Sequence, residues 1–532
     1  MANNYKHLLL AATLVAFVHW PANAQFEVQG DARVNPDDFE LTVFADELNY
    51  PVGMVELPDR SLLVAVTQGR SFFSSTSSQI LRLVDADNDG VAESREVLAD
   101  GLPVGGASAL RMAGDLLFIS GQGKTPILIL RLGEAPGYEV TEVGRLTIDY
   151  SNSWMHAQSA LQARRGADGI FELFFPLGSK VNFATTTATL PLMTTFGVEA
   201  TLAGDAIHRV RFRDDDGTLT GIDHEQIATG LRSASGLAFH PQTGDLYFED
   251  NGIDGLTEAI EAHSADEINW IPRDQIGGEI EDFGFPDSYV AYRTGEFIGG
   301  QGIPPLFAFT PVPEPDSGSE SEGPNEIAFA PPGFPRGLNH GLFVGFHGQF
   351  SKGGLANEEN PLVYADLTTG EYFHFVSNRE RDVGHLDGLL ATRNHLFIAD
   401  ISSGGGFGSS HSNSGYIYRL SYIGATAIRE MVDEMPDGFE LGEAYPNPFN
   451  PAVSLRFALP ATADGQVATL RVFDVMGQRV ATLIDRSVST GTYVARWDGT
   501  DSSGRAVSSG SYLFELRVGD LFMGSRKAML LK

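Results

Sequence analysis

One histidine and four cations stand beside recurring apolar segments in an otherwise acidic chain. His156 lies in WMHAQSALQARRGADG, Arg232 in GLRSASGLAF, Lys352 in FHGQFSKGG, and Arg379 and Arg381 in SNRERDVGHLDG. An imidazole of ordinary pKa, about 6.5, takes or gives a proton near neutrality. Arginine forks hold planar carboxylates two bonds at a time, which a lysine point charge cannot do. If these segments enter one central mouth, the five groups make a pocket for a planar ligand of several negative charges. A second constellation is Asp85, Asp87 and Asp89, closed by Gly90 and followed by Glu96 at the twelfth position of D-x-D-x-D-G-x5-E. Carboxylates on alternate positions can converge on a hard cation such as calcium, and glycine permits the sharp turn. The flanks, QILRLV and REVLADGL, read as strands rather than the paired helices of an EF-hand. Two readings therefore stand, a calcium-stabilised hairpin and an Asp-rich turn.

Other chemistries are missing from the sequence. There is no Walker A loop, no G-x-G-x-x-G between strand and helix, no H-E-x-x-H and no nucleophile elbow. Cysteine is absent, which removes disulfides, Cys-ligated zinc and iron–sulfur clusters.

The elements that must position the charged residues repeat six times. Each unit has a small residue, an apolar strand, a turn and a second apolar strand. The copies begin at Pro51, Ala107, Ser159, Ala234, Pro324 and Leu386. Period-two apolar runs around Asp, Gly, Pro or Asn turns are hairpins. Further strands, such as QILRLV, HRVRFR and GYIYRL, fit between the copies. Six units of about four strands predict an all-β fold, a six-bladed β-propeller over residues 33–424. Residues 425–440 read as a short, charged, helical linker, and 441–532 as a small Ig-like β-sandwich.

The 532 residues carry 36 Lys+Arg against 69 Asp+Glu, a formal charge of −33, and this field repels a phosphate backbone. Nucleic acid is therefore excluded as a partner. Hydrophobic residues at 42% are ample for a core, and 60 glycines point to many tight turns. At the N-terminus, Lys6 and His7 precede the apolar run 8–20, and Ala22-Asn23-Ala24 supplies small residues for cleavage. Residues 1–24 thus read as a secretory signal peptide, and no stretch is long enough for an integral membrane span.

Two resemblances follow from longer motifs. YPNPFNP at 445–451, LRVFDVMGQRVATL, VARWDGTDSSGRAVSSGSYLFEL and the terminal RKAMLLK resemble the type A C-terminal sorting domain of the type IX secretion system. That resemblance implies the secretion machinery as a partner, and a secreted or outer-membrane surface location reached via the periplasm. The middle of the chain is similar to the glucose/sorbosone dehydrogenase family, soluble six-bladed propellers that use pyrroloquinoline quinone (PQQ). The segments that carry the similarity are H-x-x-x-x-L at 156–161, GLRxxxGLAFHPxTGxLY at 230–247, DNG…DEIN at 250–269, GGEIEDFGFP, SKGG and NRERD, in the family's order over about 390 residues.

The second resemblance implies a role for each matching residue. His156 would be the catalytic base and Arg232 the cation beside the reacting carbonyl. Lys352, Arg379 and Arg381 would pair with the cofactor's acidic groups. Gly252 and Ile253 would offer backbone carbonyls to a calcium ion. The implied reaction moves hydride from a sugar or alcohol carbon to PQQ, and electrons then pass to an external acceptor. Met155 stands where the family's best-studied branch has an acidic residue, and Ser233 where it has Asn. A glutamine of that branch has no counterpart in LPVGGASALRM, and Ile253 replaces proline. Two other function classes remain: a non-catalytic surface propeller that binds a glycan or protein, and a metal-dependent lactonase-type hydrolase on another six-bladed scaffold.

Overall fold

The apolar runs become strands that differ in burial according to their place in a stack. Leu62–Thr67, Leu116–Gly121 and Leu342–Phe346 are buried along their whole length. Strands covered on both faces read as continuous apolar runs rather than alternating ones. Ser94–Leu102, at the outer edge of its sheet, is exposed or half-buried throughout.

In the computed structural model of the protein these strands form six twisted sheets around one axis. The structure describes residues 26–28, 34–122, 124–150, 153–255, 262–310, 323–335, 337–347, 362–378, 385–402, 406–423, 428–431, 438–450, 452–463, 466–488, 491–501, 505–519 and 521–532. The innermost strands of blades 1 to 6 are Pro51–Glu56, Ala107–Ala113, Gln162–Arg165, Ala234–Phe239, Pro324–Phe329 and Leu386–Ala391. Each pairs antiparallel with the next strand outward. Five of the six begin where the sequence repeat begins, and the third begins three residues later.

The ring closes by long-range pairing. Phe39–Leu48 adds to Gly415–Tyr422 as the outer strand of blade 6, so the start of the propeller completes its last sheet. Close contact between inner strands requires glycine at two points. A Cβ on Gly53 would collide with the Leu110 backbone, and one on Gly388 with the Val52 carbonyl. Polar side chains join neighbouring blades as well. Gln162 Nε2 donates to the Leu237 carbonyl at 3.1 Å, Asn251 Nδ2 to Pro324 at 3.2 Å, and Asn325 Nδ2 to Asp387 at 3.0 Å. Arg111 of blade 2 forms an ion pair with Glu326 of blade 5, whose carboxylate is buried.

Beyond the propeller, two four-stranded sheets pack as an Ig-like sandwich around Trp497, Phe457, Phe514 and Leu530. One strand corrects the expected helical linker. Ile428–Met431 is extended and pairs with Gly491–Trp497, because an open edge of that sheet offers it a hydrogen-bonding ladder. Among the described residues there is no α-helix, and no helix is long and apolar enough to cross a membrane.

Arg111→Met leaves the Glu326 carboxylate buried without its cation, an effect of about 3 kcal/mol for breaking a buried pair from one side. The urea midpoint should fall accordingly, and Arg111→Met/Glu326→Leu should recover most of it. An unchanged midpoint in the single variant contradicts this role.

Candidate functional site

Antiparallel pairing puts the start of each innermost strand and the end of the second strand on one face of the ring. His156 precedes the inner strand of blade 3, and Arg232 precedes that of blade 4. The chain that leaves the second strand of blade 3, Phe171–Leu177, passes between them. A Cβ on Gly178 would lie 2.5 Å from the Arg232 carbonyl oxygen and 2.8 Å from the His156 Cβ, so only glycine fits that passage.

Ser179 then bonds to both neighbours. Its N–H donates to the Arg232 carbonyl at 2.7 Å, and its carbonyl accepts the His156 N–H at 3.1 Å. Its hydroxyl lies 2.8 Å from His156 Nδ1. The His156 pKa is pushed down to about 3, chiefly by burial and secondarily by the Arg232 charge. The imidazole is therefore neutral at ordinary pH.

Arg232 is a buried cation held mostly by neutral oxygens. Its Nε and Nη2 donate to Asn182 Oδ1 at 3.1 and 2.9 Å, and its Nη1 donates to the Asn251 carbonyl at 3.2 Å. The Asp254 carboxylate, 69% exposed, forms its ion pair. Beside Arg232 a cleft is lined by Asn251, Gly252, Ser264, Glu267 and Tyr289. Phe183, an exposed ring next to Asn182, packs near His263 and Tyr289 at 5.8 and 6.5 Å between centroids.

Acidic groups underlie this mouth. Asp250 accepts the Arg232 and Ser233 N–H groups at 2.9 and 2.6 Å. Asp266 accepts those of Gly252 and Gly323 at 2.6 and 2.9 Å. Burial, opposed by these bonds, pushes Asp250 up to about 6 and Asp266 up to about 7. Glu267 rises to about 8, through burial first and the Asp250 charge second.

The expected site residues fall into three groups. His156 and Arg232 come together. Gly252 and Ile253 adjoin them, but the Ile253 carbonyl already accepts N–H bonds from His263 at 2.7 Å and Ser264 at 3.3 Å. The expected calcium therefore does not fit that carbonyl as it stands. Lys352, Arg379 and Arg381 lie outside the described residues. Described residues that flank them in sequence include His347, Asn378 and His385; the rings of His347 and His385 are 4.8 Å apart, and His347 Nδ1 donates to Asp387 at 2.9 Å.

The acidic loop also departs from expectation. Ligand atoms of Asp85, Asp87, Asp89 and Glu93 lie within 4.8 Å of one another, and Glu96 is not among them. The chain enters a strand right after the turn, which puts Glu96 opposite Arg82 at 3.4 Å. Asp85 pairs with Arg419 at 2.8 Å and accepts the Gly90 N–H, while Glu93 accepts that of Ala86.

Ser179, Asn182 and Asp254 were not anticipated. All three follow the end of a second strand, whereas His156 and Arg232 precede first strands. The Gly178-Ser179 pair directly after the apolar run FELFFPL was the available signal.

A family model of the FlgD Ig-like domain matches residues 449–520. An uncharacterized protein of Borreliella burgdorferi is 44% identical over 62 residues, 12% of this chain and only 14% of the relative's length. Among solved structures, the holo pyranose dehydrogenase PQQ domain from Coprinopsis cinerea is 14% identical with a TM-score of 0.48, over 75% of this chain and 97% of that one. A calcium structure of a Trichoderma reesei carbohydrate-active enzyme of family AA12 is 16% identical with a TM-score of 0.47, over 73% and 96%. The PQQ-bound aldose sugar dehydrogenase from Streptomyces coelicolor is 15% identical with a TM-score of 0.43, over 72% and 98%.

The shifted groups set a pH dependence. A carboxyl raised on folding contributes stability that is complete below its unfolded pKa of about 4 and is lost as pH rises through its folded value. For Asp250, Asp266 and Glu267 that loss runs through about 6, 7 and 8. The half-buried imidazole of His156 and the buried one of His385, both lowered to about 3, act in the opposite sense and only below about pH 6.5. Between pH 7 and 9 the melting temperature should therefore fall, with a smaller fall in Glu267→Gln. A flat or rising profile contradicts the assignment.

Proposed function

We propose that this chain is an exported dehydrogenase that oxidises a CH–OH group of a sugar or alcohol, with PQQ as hydride acceptor and an external acceptor taking the electrons. The observation that carries the reading is the meeting of His156 and Arg232 on either side of Gly178, in a chain whose ordered motifs resemble that family. The donor set suits a planar anionic ligand. Arg232 is a buried guanidinium whose ion-pair partner among the described residues, Asp254, is exposed and replaceable, and His156 is a neutral imidazole beside it. When bound, PQQ supplies the two-electron, hydride-accepting chemistry that no side chain can.

The protein's own part is acid–base and electrostatic. His156 takes the proton of the substrate hydroxyl as the C–H bond is lost, and Arg232 stabilises negative charge that develops on a neighbouring oxygen. Among the described groups, Gly252 is the carbonyl offered to calcium. No step is assigned to the metal, because the Ile253 carbonyl already holds two N–H groups. That filled carbonyl is also the observation that favours the second reading, a propeller that binds a glycan or protein without turnover. Export is proposed to run through a signal peptide over 1–24 and recognition of 441–532 by type IX secretion machinery. The Ig-like match at 449–520 supports the module's fold only.

Reconstitution with PQQ and calcium, followed by dye reduction over a panel of sugars and alcohols, tests the reading. His156→Ala should lower kcat by about 10²–10⁴-fold while PQQ affinity stays within a few-fold. Full turnover in that variant rejects the base, and no PQQ uptake by the natural protein rejects the cofactor. Removal of 441–532 should leave the propeller in the periplasm, and its normal arrival at the surface rejects the sorting role.

A further inference from the structure

We propose that Ser179 is a positioning residue that fixes His156 in the tautomer with hydrogen on Nδ1, leaving the Nε2 lone pair free to accept a proton. A neutral imidazole carries one N–H, and the partner of one nitrogen decides where it sits. His156 Nδ1 is 2.8 Å from Ser179 Oγ. A serine hydroxyl has a single hydrogen, and that of Ser179 is directed at the Val181 carbonyl, 2.7 Å away. A carbonyl cannot donate, so Ser179 Oγ is left with lone pairs only toward the imidazole. Nδ1 must therefore be the donor.

Ser179 is itself immobilised. It is fully buried, its N–H is held by the Arg232 carbonyl at 2.7 Å, and its carbonyl by the His156 N–H at 3.1 Å. The hydroxyl's direction thus follows from the same backbone bonds that join the approaches to blades 3 and 4. Its consequence for turnover rests on the dehydrogenase reading, whereas the tautomer does not. A neutral hydroxyl, unlike a carboxylate, orients the imidazole without adding negative charge, so the ring remains uncharged next to Arg232.

Two-bond ¹H–¹⁵N correlation of the imidazoles in ¹⁵N-labelled full-length protein reads the tautomer directly. His156 is assigned by the signal lost in His156→Gln. The natural protein should show a pyrrole-type Nδ1 and a pyridine-type Nε2 at pH 7. Ser179→Thr should keep that pattern, and Ser179→Ala should give mixed tautomers. In the PQQ-loaded protein, Ser179→Ala should lower kcat by about two- to tenfold, in proportion to the Nδ1–H tautomer lost, with KM and PQQ affinity little changed, since the wrong tautomer disables an imidazole base. Ser179→Thr should restore turnover. A pyrrole-type Nε2 in the natural protein, or an unchanged pattern in Ser179→Ala, overturns the proposal. Should Ser179→Ala not fold, the pattern of the natural protein and Ser179→Thr decides. The predicted pattern without any PQQ turnover rejects the dehydrogenase reading and leaves the Ser179 assignment standing.

Discussion

Two backbone hydrogen bonds at Ser179 govern the arrangement of the candidate site. One reaches Arg232, two residues before blade 4's inner strand, and the other the loop before blade 3's. Each is of ordinary strength, yet both are buried, and a buried amide left without a partner costs about 1–3 kcal/mol. The passage admits no side chain at Gly178, so His156 and Arg232 are held a fixed distance apart. Propeller geometry makes such a junction possible, since neighbouring blades present the same end of their strands to one face.

The electrostatics follow from that junction. Arg232 is buried, and its guanidinium bonds to the Asn182 side chain, the Asn251 carbonyl and one exposed carboxylate. Its charge, together with burial, keeps His156 neutral. Beneath, Asp250 receives the N–H groups of Arg232 and Ser233, and Asp266 receives that of Gly252, next to Ile253. Among the described residues, an acidic protein thus holds this cation mostly with neutral acceptors and one exposed carboxylate.

Much of the architecture was legible because it is local. Period-two apolar runs and tight turns mark hairpins, and five of six inner strands begin at the residues that open the repeats. Features that depend on distant pairing were not legible. Nothing local in FELTVFADEL announces that it completes blade 6 beside Gly415–Tyr422. Likewise, Thr189–Thr194 and Glu199–Ala203, which follow blade 3's second strand, extend the sheet of blade 2. The segment 428–431 reads as helical from its charges, but an available sheet edge makes it a strand. At the site, His156 and Arg232 were visible through their position before inner strands. Ser179 was not, because serine after a strand is common and its partners are 23 and 53 residues away. Glu96 satisfied a spacing rule written for a loop followed by a helix, and a strand turns that residue toward Arg82.

The central claim is that His156 and Arg232 face one ligand at one mouth of the propeller. A crystal structure of the protein soaked with PQQ tests it most directly. The account predicts tricyclic density over the cleft beside Arg232, within hydrogen-bonding reach of the guanidinium and with His156 Nε2 facing the remaining space. Density bound elsewhere on the chain, or an empty cleft at saturating PQQ, contradicts it.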